Sequence, residues 1–266
     1  MKILIFWDLY WRVWREALER ELPSLKNKYN PDFVIINWEN MTSGFWPILK
    51  HLDKVKKMWV DVITWWNHTL KNEKDIWEYL NSEDSIALRP ANFYETKRFK
   101  ISWRWYKVFE KNWKKVLVIN VMSWIFMADN VYNPFLKVEE ILEEFNWVDL
   151  DWIIVDFHRE TTSESQWMGL MYDWKVSFVF WTHTHVQTND DTILPNGTWL
   201  ITDVWYVWPR NSVIWLDFKS MEKPFLTGLV RWKKEQKVGS EYVVNWVFVE
   251  IKNFRCSHIE KIRIEK

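Results

Sequence analysis

Trp181-Thr182-His183-Thr184-His185 places two histidines directly after a predicted buried strand, Val176 to Phe180. That run is short, apolar and rich in β-branched and aromatic residues. If the chain stays extended past the strand, side chains at i and i+2 point the same way, so both imidazoles face one point. Neutral imidazole is the commonest metal ligand, and open α/β sheets place ligands beyond the carboxyl ends of strands. The stretch predicts a metal site, with a pair of polar loop histidines as the alternative.

Outward from this stretch, the chain alternates predicted strands with predicted helices. Predicted strands cover Lys2–Trp7, Asp32–Asn37, Val60–Thr64, Tyr106–Phe109, Lys115–Val121, Trp152–Phe157, Trp199–Asp203, Tyr242–Ile251 and Ile259–Ile264. Predicted helices cover Trp14–Tyr29, Pro47–Met58, Asn72–Leu80, Pro134–Phe145 and Ser163–Tyr172. The alternation indicates an α/β (α+β) protein with sheets flanked by helices. Alternating apolar residues in the last strands predict an antiparallel, half-exposed sheet. Without a repeat, a linker or a break in composition, we expect a single domain over residues 1–266.

Charge and composition exclude several classes of protein. Lys and Arg total 36, Asp and Glu total 36, and the net charge is zero, so no broad nucleic-acid footprint is expected. No apolar run approaches the roughly 20 residues that a membrane span requires. The first six residues are too short for a signal peptide. Cys256 is the single cysteine, so no intrachain disulfide can form and a cytoplasmic location is the simplest expectation.

The tryptophan content is abnormal. The chain has 24 tryptophans and 5 glycines, whereas an average chain of this length has roughly 19 glycines. Trp7, Trp38 and Trp181 stand at predicted strand exits, where a residue that tolerates positive φ is usual. A tryptophan-rich core is the plain alternative. We expect instead that most of these tryptophans occupy positions where the organism's protein carries glycine, because a gene that reads UGA as glycine gives this pattern when UGA is translated as tryptophan.

Several predicted strands end in residues of metal-ligand type. These residues are Asp8, Glu39 with Asn40, Asn67 with His68, His158, and finally His183 and His185. Strand ends of one sheet share an edge, and carboxylate, amide and imidazole ligands suit a mid-row transition metal. This set contains more candidate ligands than one ion requires. Two ions bridged by one carboxylate therefore fit the set better. Iron is the first choice, with manganese or zinc as alternatives.

Two metals about 3.5–4 Å apart clamp the attacking and leaving oxygens of a phosphoryl displacement and make a bridging hydroxide available near neutral pH. The double positive charge would attract a phosphodiester anion. The leaving oxygen needs a proton, which a histidine near the metals could supply. The pattern therefore predicts a metal-dependent phosphodiesterase with a small-molecule phosphodiester substrate.

The same motifs resemble those of the calcineurin-like metallophosphoesterases, and most closely their YmdB-like branch of bacterial cyclic-nucleotide phosphodiesterases. The family has Gly-Asp, Gly-Glu-Asn, Gly-Asn-His, Asp-Phe-His and Gly-Thr-His-Thr-His. The matching stretches here are Trp7-Asp8, Trp38-Glu39-Asn40, Trp66-Asn67-His68, Asp156-Phe157-His158 and Trp181-Thr182-His183-Thr184-His185. The Glu-Asn pair marks the branch, and Tyr10 replaces a histidine ligand that much of the superfamily carries.

The resemblance implies a four-layer αββα sandwich, two mixed sheets flanked by helices. It implies one metal on Asp8, Glu39, Asn40 and His185 and a second on Glu39, Asn67, His158 and His183, with Glu39 bridging. His68 would be the proton donor, and the substrate a 2′,3′-cyclic or 3′,5′-cyclic nucleotide. The oligomeric state is open, with a homo-oligomer allowed.

A second class of function is a catalytically weak regulatory or binding protein on the same scaffold, motivated by the abnormal tryptophans. Among the other polar residues, Asp156 could orient a metal ligand, although a plain strand-end carboxylate is equally expected. For Asp203 a turn cap is slightly preferred. Thr182 and Thr184 are expected to satisfy backbone groups. The remaining histidines, His51 and His258, are expected at the surface.

Overall fold

The computed structural model describes most of the chain. The described residues are 1–6, 11–38, 49–65, 73–96, 98, 105–127, 130–204, 207–228 and 235–266, with no side-chain description for 11–15, 49–51 and 73–76. Within these ranges, every helix is too short or too polar to pass through a bilayer.

The first sheet has seven strands and is mixed. Its members are β1 (Lys2–Phe6), β2 (Phe33–Asn37), β3 (Val62–Thr64), β4 (Ala87–Leu88), β11 (Val207–Pro209), β12 (Tyr242–Lys252) and β13 (Arg255–Glu265). The order is β11-β12-β1-β2-β3-β4, and β13 pairs with β12. Strands β1 to β4 are parallel to one another, whereas β12 runs antiparallel to β1, β11 and β13. The carboxyl ends of β1, β2 and β3 therefore meet at one edge.

The second sheet has six strands. They are β5 (Tyr106–Lys111), β6 (Lys114–Met122), β7 (Trp152–His158), β8 (Phe178–Thr182), β9 (Thr192–Ile193) and β10 (Trp199–Ile201). The order is β5-β6-β7-β8-β10-β9. The four central strands are parallel, and the two edge strands are antiparallel to their neighbours.

Helices connect and cover these strands. They are α1 (Trp11–Tyr29), α2 (Leu49–Lys57), α3 (Glu73–Asn81), α4 (Pro134–Glu144), α5 (Thr162–Met171) and α6 (Phe218–Thr227). Caps explain some of their ends. Asn133 accepts hydrogen bonds from two backbone N–H groups at the start of α4, and Pro134 suits the first helical position.

Alternation along the strands of the second sheet creates two apolar layers. Val118 and Ile154 lie in one core cluster together with residues of the first sheet, such as Ile35. Ile119 and Val155 point to the opposite face and lie in a second cluster that includes residues of α4 and α5. The two sheets therefore pack face to face with helices outside, which confirms the predicted four-layer αββα architecture.

The prediction of a half-exposed final sheet is half right. The antiparallel pairing is confirmed, but β12 is buried on both faces, so the predicted half exposure is wrong for that strand. Asn245, a polar residue in the middle of β12, is only 3% exposed, so it does not indicate a face in contact with solvent. Helix α1 packs against β12, whereas β13, at the edge of the sheet, carries most of the exposed residues of this strand pair.

Among the described residues, three tryptophans adopt a backbone conformation that favours glycine. Trp59, Trp113 and Trp174 have φ values of 65°, 65° and 77°. Two of the glycines that the chain retains, Gly197 and Gly228, have φ values of 106° and 72°. A residue with a Cβ is strained in this region. The finding supports the expectation that tryptophan stands at glycine positions.

Candidate metal centre

The first sheet supplies three adjacent strand ends. Asn37 Nδ2 at the end of β2 donates to Thr64 Oγ1 at the end of β3 over 3.2 Å, and both residues are fully buried. The backbone N–H of Trp38 donates to the carbonyl of Thr64. Five of the predicted site residues follow these strand ends and lie outside the described residues: Asp8, Glu39, Asn40, Asn67 and His68. Their assignments stay predictions.

The second sheet brings two predicted ligands into direct contact. His158 is the last residue of β7 and is 4% exposed, whereas His183 follows the neighbouring strand β8. His158 Nε2 lies 3.2 Å from His183 Nδ1, and their ring centroids are 4.7 Å apart. Thr182 Oγ1 lies 3.4 Å from His158 Nδ1, on the other side of that ring. Adjacent parallel strands therefore place two imidazole nitrogens at one point, 25 residues apart in sequence.

The chain does not leave β8 in an extended conformation. His183 has a φ of 129° and His185 a φ of 63°, so the premise that both side chains point the same way along an extended exit is wrong. The two rings still lie near each other, with centroids 6.2 Å apart. A turn, not strand alternation, brings them together.

Asp203 holds this turn in place. Its Oδ2 accepts hydrogen bonds from the backbone N–H of Thr184 over 2.9 Å and from Thr184 Oγ1 over 2.8 Å. Asp203 is fully buried and follows β10, the neighbour of β8. Its role is therefore larger than the predicted turn cap, because it fixes the residue between the two histidines. Thr184 uses both its backbone and its hydroxyl for this contact.

His185 lies against two indole rings. Its ring centroid is 5.4 Å from that of Trp208 and 5.2 Å from that of Trp215. Burial, followed by the neighbouring charge of His183, holds the pKa of His185 well below its usual range. Burial also lowers the pKa of His183, although the Glu160 carboxylate opposes this shift. Burial therefore favours the neutral form of both imidazoles, the form that binds metals.

Glu160 and its neighbours form a polar group that the sequence analysis did not identify. Glu160 Oε2 lies 2.6 Å from His183 Nε2. Glu164, which is 5% exposed, accepts hydrogen bonds from Ser123 Oγ over 2.7 and 2.8 Å and from Thr161 Oγ1. An acidic residue two positions after a strand-end histidine was the signal available in the sequence. The carboxylate of Glu160 orients the His183 ring.

Arg159 is fully buried beside these groups. Its guanidinium donates to the carbonyls of Glu160 and Thr202 and lies 6.0 Å from the centroid of the Trp181 ring. Burial lowers its pKa, opposed first by the charge of Asp203. Asp156 is also fully buried on β7, two residues before His158, and its orienting role stays a prediction. Arg159 ties the exits of β7 and β10 together.

Asn120 joins the second sheet to the strand ends of the first sheet. Its Nδ2, in β6, donates to the carbonyl of Trp65 over 2.6 Å and to the carbonyl of Leu88 over 3.1 Å. These carbonyls lie at the ends of β3 and β4, and Trp65 is two residues before Asn67. The strand ends of both sheets therefore form a single rim. Within the described ranges no group of three or more histidine, cysteine or acidic residues is placed to hold a metal by itself.

The chain is similar to known proteins over nearly its whole length. The family model described as YmdB-like protein matches residues 4–262. A Bacillus subtilis protein named 2′,3′-cyclic-nucleotide 2′-phosphodiesterase is 36% identical over 230 residues, covering 86% of this chain and 84% of that protein. A crystal structure from Mycoplasma pneumoniae, described as a novel phosphatase, has a TM-score of 0.88 and 31% identity, covering 100% of this chain and 93% of that one. A Thermus thermophilus structure described as a hypothetical protein has a TM-score of 0.87 and 27% identity over the full length of both chains.

Proposed function

The chain belongs to the YmdB-like protein family, and on that premise we propose that it is a metal-dependent phosphodiesterase that hydrolyses a cyclic nucleotide. The observation that carries the proposal is the approach of His158, His183 and His185 at the ends of neighbouring parallel strands. The Bacillus subtilis relative's name supports the reaction class and makes a 2′,3′-cyclic nucleotide the first substrate to test, with a 3′,5′-cyclic nucleotide as the second.

Two of the described residues support a metal ion, and the remaining ligands would come from residues outside the described ranges. His158 Nε2 and His183 Nδ1 face each other at 3.2 Å, which brings together two nitrogens able to donate to one ion. Glu160 occupies the other nitrogen of His183, as an outer acceptor does for many ligating histidines. Imidazole nitrogens, with the carboxylates and amides predicted from the first sheet, favour iron, manganese or zinc over magnesium or calcium.

The proposed ligand sets come from both sheets. His158 and His183 would hold one ion with Asn67 and Glu39, and His185 would hold the other with Asp8 and Asn40. Glu39 would touch both ions. When bound, such a pair supplies positive charge that polarises the phosphoryl group.

The protein's own groups position this chemistry. Asp203 accepts hydrogen bonds from Thr184 and would thereby hold the backbone between His183 and His185 in the bent conformation. Glu160 holds the His183 ring in one orientation. His68 is proposed to donate the proton that the leaving oxygen needs, and its placement rests on the sequence motif.

The remaining features of the proposal are broader. We propose one domain over residues 1–266, a small-molecule substrate, no stable contact with nucleic acid or membrane, and a cytoplasmic location. The oligomeric state is open.

Metal analysis and a substrate panel test the function. Purified protein, reconstituted separately with iron, manganese or zinc, is assayed against 2′,3′-cyclic and 3′,5′-cyclic nucleotides. We expect about two ions per chain and turnover of a cyclic nucleotide. A protein that binds no metal and hydrolyses none of the panel would instead be the regulatory or binding protein considered above.

A further inference from the structure

A cavity of about 520 Å³ opens at the carboxyl end of β6, one strand away from His158. It is lined by Tyr94, Trp124, Asn130, Val131, Tyr132 and Asn133. None of these residues belongs to the proposed metal centre, and none was selected from the sequence.

The cavity lies on the same rim as the candidate centre. Strand β6 ends at Met122, the register partner of His158. The next residue, Ser123, donates its backbone N–H to the carbonyl of His158 over 2.8 Å. Trp124, in the cavity wall, follows directly. On the other side of β6, Asn120 hydrogen-bonds to the carbonyls of Trp65 and Leu88 at the ends of β3 and β4.

Hydrogen bonds preform the cavity walls. Asn92 Oδ1 accepts from the backbone N–H of Met122 over 2.9 Å, and its Nδ2 donates to the carbonyls of Met122 and Tyr132 over 2.6 and 2.8 Å. The backbone N–H of Tyr132 donates to the carbonyl of Asn92 over 2.7 Å. A fully buried asparagine therefore fastens the wall segment around Tyr132 to the end of β6, and a ligand need not order it.

The chemistry of the walls suits a flat heterocycle. Tyr94 is 61% exposed, and its ring centroid lies 6.5 Å from that of Tyr132 in an edge-to-face arrangement. Asn130 is exposed and offers an amide donor and acceptor. Among the described residues that line the cavity, none carries a carboxylate. Aromatic faces for stacking, together with an amide for edge recognition, are how proteins bind unstacked bases.

We propose that Tyr94, Tyr132 and Asn130 form a nucleobase subsite that positions a nucleotide whose phosphate lies at the metal centre. This inference rests on the proposed function and adds to it the part of the substrate that lies away from the phosphate. The proposed recognition rests on the two tyrosine rings and the Asn130 amide, and Trp124 has no role in it.

The test compares two substrates that share the same reacting ring. 2′,3′-Cyclic AMP carries a base, whereas glycerol 1,2-cyclic phosphate has a five-membered cyclic phosphodiester and no base. Tyr94→Ala is expected to lower kcat/KM for the nucleotide about 5- to 100-fold more than for the glycerol ester, the range for removing one stacking ring. The loss should appear mainly in KM. Tyr94→Phe, which keeps the ring, should restore most of it, and Phe225→Ala on α6, at 70% exposure, is the matched surface control.

Direct binding separates this inference from the proposed function. Adenosine has no phosphate, so saturation-transfer NMR with adenosine reports on the subsite alone. Binding by the wild type and its loss in Tyr94→Ala support the subsite even if no phosphodiester is hydrolysed. Equal losses on both substrates, or adenosine binding that Tyr94→Ala leaves unchanged, would overturn the subsite while leaving the phosphodiesterase proposal intact.

Discussion

Replacing Trp113 with glycine should stabilise the protein. Asn112 and Trp113 form the two-residue turn between β5 and β6, and the flanking residues Lys111 and Lys114 pair directly. Asn112 has a φ of 52° and Trp113 a φ of 65°, as in a type I′ turn, for which Asn-Gly is the preferred sequence. Trp113 is 93% exposed, so its indole contributes almost no burial. The substitution therefore removes backbone strain and little else.

The magnitude follows from two opposing terms. A residue with a Cβ costs about 1–2 kcal/mol in the left-handed region. Glycine lowers the free energy of unfolding by about 0.5–1 kcal/mol, because the unfolded chain has more conformational freedom with glycine than with tryptophan. The net gain is about 0.5–1 kcal/mol, which corresponds to an increase of about 0.2–0.3 M in the urea midpoint for an m-value near 3 kcal/mol/M.

Two control variants isolate the cause. Trp113→Ala also removes the indole but keeps the Cβ, so we expect little gain. Trp147→Gly acts at a tryptophan that is 81% exposed without positive φ, and should lose about 0.5–1 kcal/mol. Stability is measured by urea unfolding, and the midpoints are compared only between variants that have the same m-value. If Trp113→Gly is no more stable than Trp113→Ala, the turn does not demand glycine and the reasoning fails.

Three further predictions concern the centre and one the sequence itself. His68→Ala should leave metal content unchanged and lower kcat by roughly 10²–10⁴, with a smaller loss for good leaving groups; an equal loss for all leaving groups would reject the donor role. Glu39→Gln should weaken both ions in a metal titration and His185→Ala mainly one, so loss of a single ion from Glu39→Gln contradicts the bridge. Asp203→Ala should lower metal affinity about 10–100-fold by calorimetry, with Asp203→Asn closer to wild type; unchanged affinity would remove Asp203 from a positioning role. Peptide mass spectrometry of the protein from its own organism should find glycine at the family's glycine positions, and tryptophan there would end the recoding proposal.

Buried strands were the most predictable part of the fold. Runs of β-branched and aromatic residues located β2, β6 and β7 to within about two residues, because such segments have few alternative conformations that bury both faces. The two-residue β4 is too short to carry a pattern. Helix α6 escaped detection because Phe218, Phe225 and Leu226 are exposed, so its apolar residues mark no buried stripe.

The site was predictable in composition but not in geometry. Strand ends singled out His158 and His183 as candidate ligands, and their contact depends on the neighbouring pairing of β7 and β8. The positive φ at His183 and His185 depends on an acceptor, Asp203, which lies about 20 residues away and follows another strand. Long-range hydrogen bonds of this kind leave no local signal in a sequence.

The tryptophans fall into two physical classes, and the difference bears on activity. Exposed tryptophans with positive φ, such as Trp113, strain the backbone and bury little surface. Trp38 and Trp181 are instead fully buried at the family's glycine positions, and their indole N–H groups lack an acceptor within the described residues. A buried donor without a partner costs about 1–3 kcal/mol, so each indole carries a penalty that glycine does not. Trp181 also packs against Arg159 and directly precedes Thr182, which contacts His158. Glycine at position 181 would change the packing around Arg159 and around the turn that carries His183 and His185. We therefore expect the tryptophan form to bind metal less tightly than the glycine form. Trp181→Gly should raise metal affinity, whereas Trp113→Gly should change only the stability of the fold.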